Sequence, residues 1–428
     1  MEKEQRYIQK RLWKARVQSI LFYLFRIFPI NQKKIVFCCI EGSTGYSCNP
    51  KYIAEELIRR KAGYQLIWLV NKKGKKFPKE IEVVENTLWN RAYQLSTAHI
   101  WIDNSRKQLE VRKRKGQLYL QTWHAKLGFK PTCLDRGASF SKIAYLVSKH
   151  DSDMIDYVLS NSKWYDKTLP TGMIYSGKTL RTGSPRCDGL VGDREGARKR
   201  VREKYQLPKE VKIVMYAPTF RGGSQETERS IQVGEGLLEY QRVIEAMERR
   251  FPGKWYMCLR LHPQLVARGL CQKEGIKERE RVIDSSKEDD MYEILAGCDA
   301  FITDYSSAAF DAAVMRVPIF LYAEDYKEYE KERGKLLWDM RKLPFPLATN
   351  EEELEEEIQG FKESIYQEKL EELFLEAEMV EDGRASARVA DWIGKWIQNG
   401  TLVGHLTKSL YTAQFHIKQF SCPCTFET

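Results

Sequence analysis

"KIVFCCIEGSTGYSCNPKYIAEELIRRKAGYQLIWLV", residues 34–70, decides the fold. "KIVFCCI" is a continuous apolar run of the kind a buried strand needs, and "GSTG" is a turn. "NPKYIAEELIRRK" then reads as a helix, and "YQLIWLV" as the next buried strand. A strand, a helix and a second buried strand predict a right-handed crossover in a parallel sheet.

The same alternation continues outward. "AHIWID" (98–103), "QLYLQTW" (117–123) and "DYVLSNS" (156–162) are further strands, with helix-like stretches between several of them. After the loop "TGSPRCDGL" (182–190) come a charged helix, "REGARKRVREKY", and Pro208, which mark an interdomain connection near 190–210. A second series follows: "VKIVMYAPTF" (211–220), a helix around 236–251, "WYMCLRLHP" (255–263), "RVIDSS" (281–286), a helix around 288–297, "AFITDYSS" (300–307), the helix "AAFDAAVMR" and "PIFLYAEDY". One acidic helix over 350–378 and "ASARVADWIGKWIQNG" close it. The expected architecture is α/β, with two doubly wound domains, residues 31–195 and 196–400, facing one cleft. Residues 1–30 form a basic amphipathic helix, and the tail 401–428 has no clear pattern. Ligands of such sheets sit at the carboxyl ends of the strands, so strand tips from both halves meet in the cleft.

At 428 residues the chain is long for one core, and 43% hydrophobic with 30% charged residues is an ordinary globular balance. The net charge of +11, from 70 Lys+Arg against 59 Asp+Glu, attracts polyanions without naming one. No aromatic-interleaved basic stripe or nucleic-acid motif accompanies it, so no nucleic-acid partner is expected. The ten cysteines are scattered, several inside apolar runs, which suits a reducing compartment. In "RYIQKRLWKARVQSILFYLFRIFPI" (6–30) the apolar run "SILFYLF" is interrupted by Arg26 and ended by Pro29, too short to span a bilayer. Trp13, Val17, Ile20, Leu24 and Ile27 recur at helical spacing, which suits a helix lying on an anionic membrane or docked on the body of the protein.

Four strand-end phrases carry the chemistry. In "TDYSSAAFDAAVMRVPIF" (303–320) a strand runs into Ser306 and Ser307, either a natural N-cap, and the helix start offers N–H groups to a phosphate. Asp311, one turn in, suits a ribose diol. "RLHP" puts Arg260 and His262 on one side of a strand ended by Pro263, an anion site for a departing pyrophosphate. Arg221 of "YAPTFR" adds a third donor group. In the other half, "QTWH" ends a strand in His124, placed for a general base on the opposite wall, with Trp123 packing against it. "EGSTG" lacks the G-x-G-x-x-G spacing and no G-x-x-x-x-G-K-[ST] occurs, so no dinucleotide cofactor and no P-loop are expected. No carboxylate cluster of metal-ligand type is visible, and no metal is expected. "TGSPRCD" is a loop able to touch a ligand, and reads first as a domain-joining turn.

"QTWH", "TGSPRCD", "YAPTFR", "RLHP", "TDYSSAAFDAAVMRVPIFLY" and "EDGRASARV", in that order over residues 35–395, resemble the CDP-glycerol glycerophosphotransferase family of teichoic acid and related polymer synthesis. The resemblance implies a GT-B architecture of two Rossmann-like lobes. The activity it implies is transfer of a polyol phosphate from CDP-glycerol or CDP-ribitol to a hydroxyl of a lipid-linked acceptor, releasing CMP, at the cytoplasmic membrane face. It places His124 and His262 on the family's catalytic histidines. Arg260, Ser306, Ser307 and Asp311 fall on its nucleotide-phosphate and ribose contacts, and Ser386 of "DGRAS" in a further donor motif. One departure is local: the family commonly continues Trp-His-Gly-Thr-Pro-Leu-Lys, and here the residues are Trp-His-Ala-Lys-Leu-Gly. The same architecture also serves nucleotide-sugar glycosyltransferases and epimerases, the alternative reading. A basic, non-enzymatic membrane- or nucleic-acid-binding protein is the second.

Overall fold

The computed structural model describes residues 2–219, 238–261, 280–333 and 335–398. Thirteen strands among them form two sheets in which every pairing is parallel. The first holds β1 (Asn31–Cys38), β2 (Gln65–Val70), β3 (Ile81–Glu85), β4 (Ala98–Asp103), β5 (Leu118–Gln121), β6 (Tyr157–Ser160) and β7 (Lys178–Arg181), in the order β3-β2-β1-β4-β5-β6-β7. The second holds β8 (Lys212–Tyr216), β9 (Trp255–Leu259), β10 (Val282–Asp284), β11 (Ala300–Thr303), β12 (Ile319–Tyr322) and β13 (Leu347–Ala348), in the order β10-β9-β8-β11-β12-β13. Winding reverses at β1/β4 in one sheet and at β8/β11 in the other, the switch points where such sheets leave a crevice.

Apolar runs make the central strands because both faces are covered. Alternation along β1 and β4 sends Val36, Cys38 and Trp101 to one core and Ile35, Phe37, Ile100 and Ile102 to the other. The edge strands β3, β7 and β13 are the ones the sequence reading does not identify. Their lighter burial leaves "IEVVE" and "KTLR" without an apolar run.

The lobes exchange segments. Leu127 and Phe129, just past β5, are buried in the core of the second lobe, with the Phe129 ring 4.9 Å from that of Phe310. In return the helix over 385–398 packs on the first sheet. Val389, Ala390 and Ile393 join its core, and the Trp396 ring lies 4.7 Å from that of His99. This redraws the sequence-based division at 31–195 and 196–400: the closing helix follows the second series in the chain but buries its apolar face against the first sheet.

The amino-terminal helix, Glu2–Leu24, is docked and apolar on two sides. Ile8, Ala15, Ser19 and Phe22 are buried, and Ser96 Oγ donates to the Phe22 carbonyl at 3.2 Å. Trp13, Val17, Ile20 and Leu24 are exposed, and beyond the helix so are Ile27 and Phe28. No helix among the described residues is long and apolar enough to cross a membrane. Residues 401–428 lie outside the described residues.

Candidate active site

The first wall is built at the tip of β5. Gln121 is buried, and its Nε2 donates to the Ser105 carbonyl (3.0 Å) and to Tyr119 Oη (2.9 Å). Its Oε1 accepts the Trp123 N–H (3.0 Å), which turns the chain back on itself. Trp123 takes φ +49°, a left-handed conformation that costs an L-residue of order 1 kcal/mol or more. Asn49 Nδ2 holds the turn by donating to the carbonyls of Thr122 (3.3 Å) and Trp123 (2.8 Å). The Arg106 guanidinium covers the indole at 5.2 Å.

The turn aims His124 at the tip of β4. Its Nδ1–H donates to the Asn104 carbonyl at 2.7 Å. A carbonyl only accepts, so Nδ1 carries the proton of the neutral ring and Nε2 keeps its lone pair. Nε2 has no hydrogen-bond partner among the described residues. Burial pushes the imidazole pKa below its ordinary value, against the opposing pull of the Asn104 carbonyl. The ring is thus neutral at pH 7, with one nitrogen able to take a proton.

Beside it stands Arg186, from the loop after β7, a residue the sequence reading passes over as part of a turn. Its guanidinium is buried, with Nη2 donating to Asp311 Oδ2 at 2.6 Å and Nη1 to Cys48 Sγ at 3.5 Å. Nε is buried without a hydrogen-bond partner among the described residues. Asp311 does not present an open carboxylate: Oδ2 also accepts from Tyr292 Oη (2.5 Å), and Oδ1 from Cys187 Sγ (3.4 Å). It anchors Arg186 across the lobes.

The second wall comes from β9 and β11. Arg260 is buried, and its Nη1 donates to the carbonyls of Ser285 and Glu288, each at 2.6 Å. Burial lowers its pKa, with Asp290 the first group opposing that shift. The 285–290 loop that holds Arg260 is tied to the first lobe by Lys51, which donates to Asp290 at 2.8 Å and to Glu293, and by Lys75, which pairs with Asp289. Ser306 and Ser307 are half-buried, and Ser306 Oγ accepts the Ala308 N–H at 3.2 Å. The loop after His124 passes close to them: a Cβ on Gly128 would lie 3.4 Å from that of Ser307. The two lobes therefore meet along one seam, at Gly128 and Ser307, at Arg186 and Asp311, and at Lys51 and Asp290. His262 and Arg221 lie outside the described residues.

Ser386 belongs to a strap behind that seam. Its N–H and that of Ala385 donate to the two oxygens of Asp188 (2.7 and 2.8 Å), capping the closing helix. Gly183, at φ +88°, makes the close approach possible, since a Cβ there would stand 2.6 Å from the Val380 carbonyl. Lys126, from the part of the sequence that departs from the family pattern, donates to the Gly183 carbonyl (3.1 Å) and Ser184 Oγ (3.0 Å). The phrases "TGSPRCD" and "EDGRASARV", nearly 200 residues apart in sequence, form one unit with the His124 loop.

The family model of the CDP-glycerol:poly(glycerophosphate) glycerophosphotransferases matches residues 20–395, nearly the whole chain and both walls of the seam. The chain belongs to that family. Among similar glycerophosphotransferase-family proteins is a teichoic acid poly(glycerol phosphate) polymerase of Bacillus spizizenii, 27% identical, with 88% of this chain and 96% of that protein covered. Another is a teichoic acid glycerol-phosphate transferase of Staphylococcus aureus, 28% identical over 90% of this chain and all of that protein. A Staphylococcus epidermidis polymerase is 28% identical over 86% of this chain, which spans only about half (51%) of that relative. The solved wall teichoic acid polymerase TagF superposes with a TM-score of 0.76 at 26% identity, covering 93% of this chain and 99% of the TagF chain. The two-lobed GT-B architecture expected from the resemblance is the one observed.

Proposed function

We propose that this glycerophosphotransferase-family chain transfers polyol phosphate, glycerol phosphate first among them, from a CDP-polyol to a hydroxyl of a lipid-linked acceptor. The observation that carries the reading is the imidazole of His124, neutral and fixed by Asn104 with Nε2 left as the base. The acceptor oxygen attacks the phosphorus that bears the polyol. The bridging P–O bond to the cytidylyl phosphate breaks, CMP leaves with the electron pair, and Nε2 takes the acceptor's proton. Arg260, Ser306 and Ser307 face the charge growing on the departing phosphate, with His262 and Arg221 as further donors in this proposal. Arg186, kept charged and oriented by Asp311, has an Nε unpaired among the described residues and open to a phosphoryl oxygen. Asp311 and Ser386 serve by position: Asp311 through Arg186, Ser386 through the strap.

The exposed stripe Trp13, Val17, Ile20 and Leu24, on a helix rich in Lys and Arg and continued by Ile27 just beyond it, supports peripheral attachment to the anionic cytoplasmic face of the membrane, where such an acceptor resides. The test is CMP release from CDP-glycerol, CDP-ribitol and UDP-sugars, with a membrane fraction as acceptor. Release from one CDP-polyol is expected; turnover of UDP-sugars with both CDP-polyols inert would contradict the assignment.

A further inference from the structure

The segment 285–292 of the second lobe holds Arg260 at one end and Arg186 at the other. At its start the Ser285 and Glu288 carbonyls accept from Arg260 Nη1, and Ser286 Oγ accepts the Leu261 N–H at 2.9 Å. At its far end Tyr292 is buried in the short helix Met291–Leu295. The Arg186 guanidinium lies over its ring, with Cζ 4.7 Å from the ring centroid. The Tyr292 hydroxyl donates to Asp311 Oδ2 at 2.5 Å, the oxygen that also accepts from Arg186 Nη2 at 2.6 Å. One side chain thus holds the arginine twice, directly on its face and through the carboxylate on its edge.

The two contacts do different work. All five N–H donors of a guanidinium lie in its plane, so a ring on its face fixes its tilt and uses none of them. The hydroxyl acts on the partner instead and keeps the carboxylate turned toward Nη2. Burial pushes the Tyr292 phenol well above its ordinary pKa, so the hydroxyl keeps the proton it donates. Between its ends the segment is fixed from the other lobe. Asp290 Oδ1 accepts the Tyr292 N–H at 3.0 Å while Oδ2 accepts from Lys51 Nζ at 2.8 Å, and both side chains are buried.

We propose that Tyr292 is a positioning residue for Arg186, and that the segment 285–292 sets Arg186 and Arg260 as a matched pair for the two phosphates of a diphosphate. The transferred and the departing phosphate are one P–O–P bridge apart. Two guanidiniums free to move separately would lose the advantage of meeting both at once. Lys51 brings the first lobe into the same register. The pairing rests on the proposed transfer, in which both arginines face the donor; the hold of Tyr292 on Arg186 does not.

Tyr292→Phe keeps the ring and removes the hydroxyl, and Tyr292→Leu removes both. The hold is read in the full-length protein by nitrogen-15 NMR of the arginine Nε–H groups, with the Arg186 signal assigned by its absence in Arg186→Lys. Exchange of this buried Nε–H with water is expected to quicken about three-fold in Tyr292→Phe and about ten-fold or more in Tyr292→Leu. Exchange as slow as in the wild type would overturn the hold. Tyr292→Phe, which keeps the buried volume, decides the point alone if Tyr292→Leu does not fold. The pairing is read by CMP release at varied CDP-glycerol and CDP-ribitol. The donor KM is expected to rise about ten-fold in Tyr292→Leu and less in Tyr292→Phe, with the KM of the acceptor unchanged. A fall in kcat alone, at unchanged donor KM, is what a merely structural loss gives, and it would overturn the pairing. A wild-type chain that releases no CMP from either donor overturns the transferase assignment and the pairing with it, while the exchange rates still decide the hold.

Discussion

Two strand tips in this molecule begin alike and end in opposite chemistry. β11 runs through Thr303 into Asp304, Tyr305, Ser306 and Ser307, and its polar groups serve its own lobe. Asp304 accepts the Thr219 N–H and hydroxyl, Thr303 Oγ1 donates to the Ala217 carbonyl, and Ser306 steadies the following helix. β5 runs through Gln121 into Trp123 and His124 without a helix to follow. Its backbone is forced left-handed, and its last side chain keeps one ring nitrogen without a partner among the described residues. A tip that satisfies itself makes a rigid floor for a ligand. A tip that has to be held by Gln121, Asn49, Arg106 and Asn104 can hold a reactive group.

Removing the reactive group should give the largest effect. His124→Ala is expected to lower the rate of CMP release by about 10²–10⁴-fold, with the urea midpoint little changed. If midpoint and rate fall together, the β5 tip is as structural as the β11 tip, and the contrast fails.

Next come the contacts that join the tips. Phe129→Ala empties a buried site of the second lobe from a segment of the first, and a loss of about 3–5 kcal/mol in denaturant unfolding is expected. Asp311→Ala leaves the buried Arg186 without its carboxylate, and a loss of about 3 kcal/mol is expected from the same measurement. Addition of the two losses in the double variant, without coupling, would show that the loop and the Arg186–Asp311 pair hold the lobes independently.

The pH dependence sharpens the electrostatic half of the contrast. His124 acts when neutral, and its pKa is depressed, chiefly by burial. The acid limb of kcat/KM should therefore fall only below the ordinary histidine value of about 6.5, about ten-fold per pH unit once below the depressed value. An acid limb above that value would mean that a different group titrates. The smallest effect is expected from Lys75→Ala, whose ion pair with Asp289 crosses the seam in partial exposure: about 1 kcal/mol or less, weaker still in high salt.

Both sheets were legible because their central strands are buried on two faces and written as unbroken apolar runs. β3 and β7 were not, since these edge strands are only partly buried and have no such run. Among the site residues, His124, Arg260, Ser306 and Ser307 could be read as strand ends. Arg186 and Asn104 could not, because their roles depend on partners 125 residues away in one case and 20 in the other. The exchange of Phe129 for the closing helix between lobes was equally hidden: an apolar face shows that it will be buried, not against which sheet. Asp311 has a partner that its place one turn into a helix does not reveal: the fold brings the Arg186 guanidinium to its carboxylate.

The most direct test of the account is nitrogen-15 NMR of the histidine rings, of which the chain has six, followed from pH 8 to pH 5. His124 is expected to be neutral at pH 7 with its proton on Nδ1, and this proton to disappear from the spectrum in Asn104 variants that shift the carbonyl. A proton on Nε2, or a ring already charged at pH 7, would leave no lone pair for the acceptor hydroxyl and would contradict it.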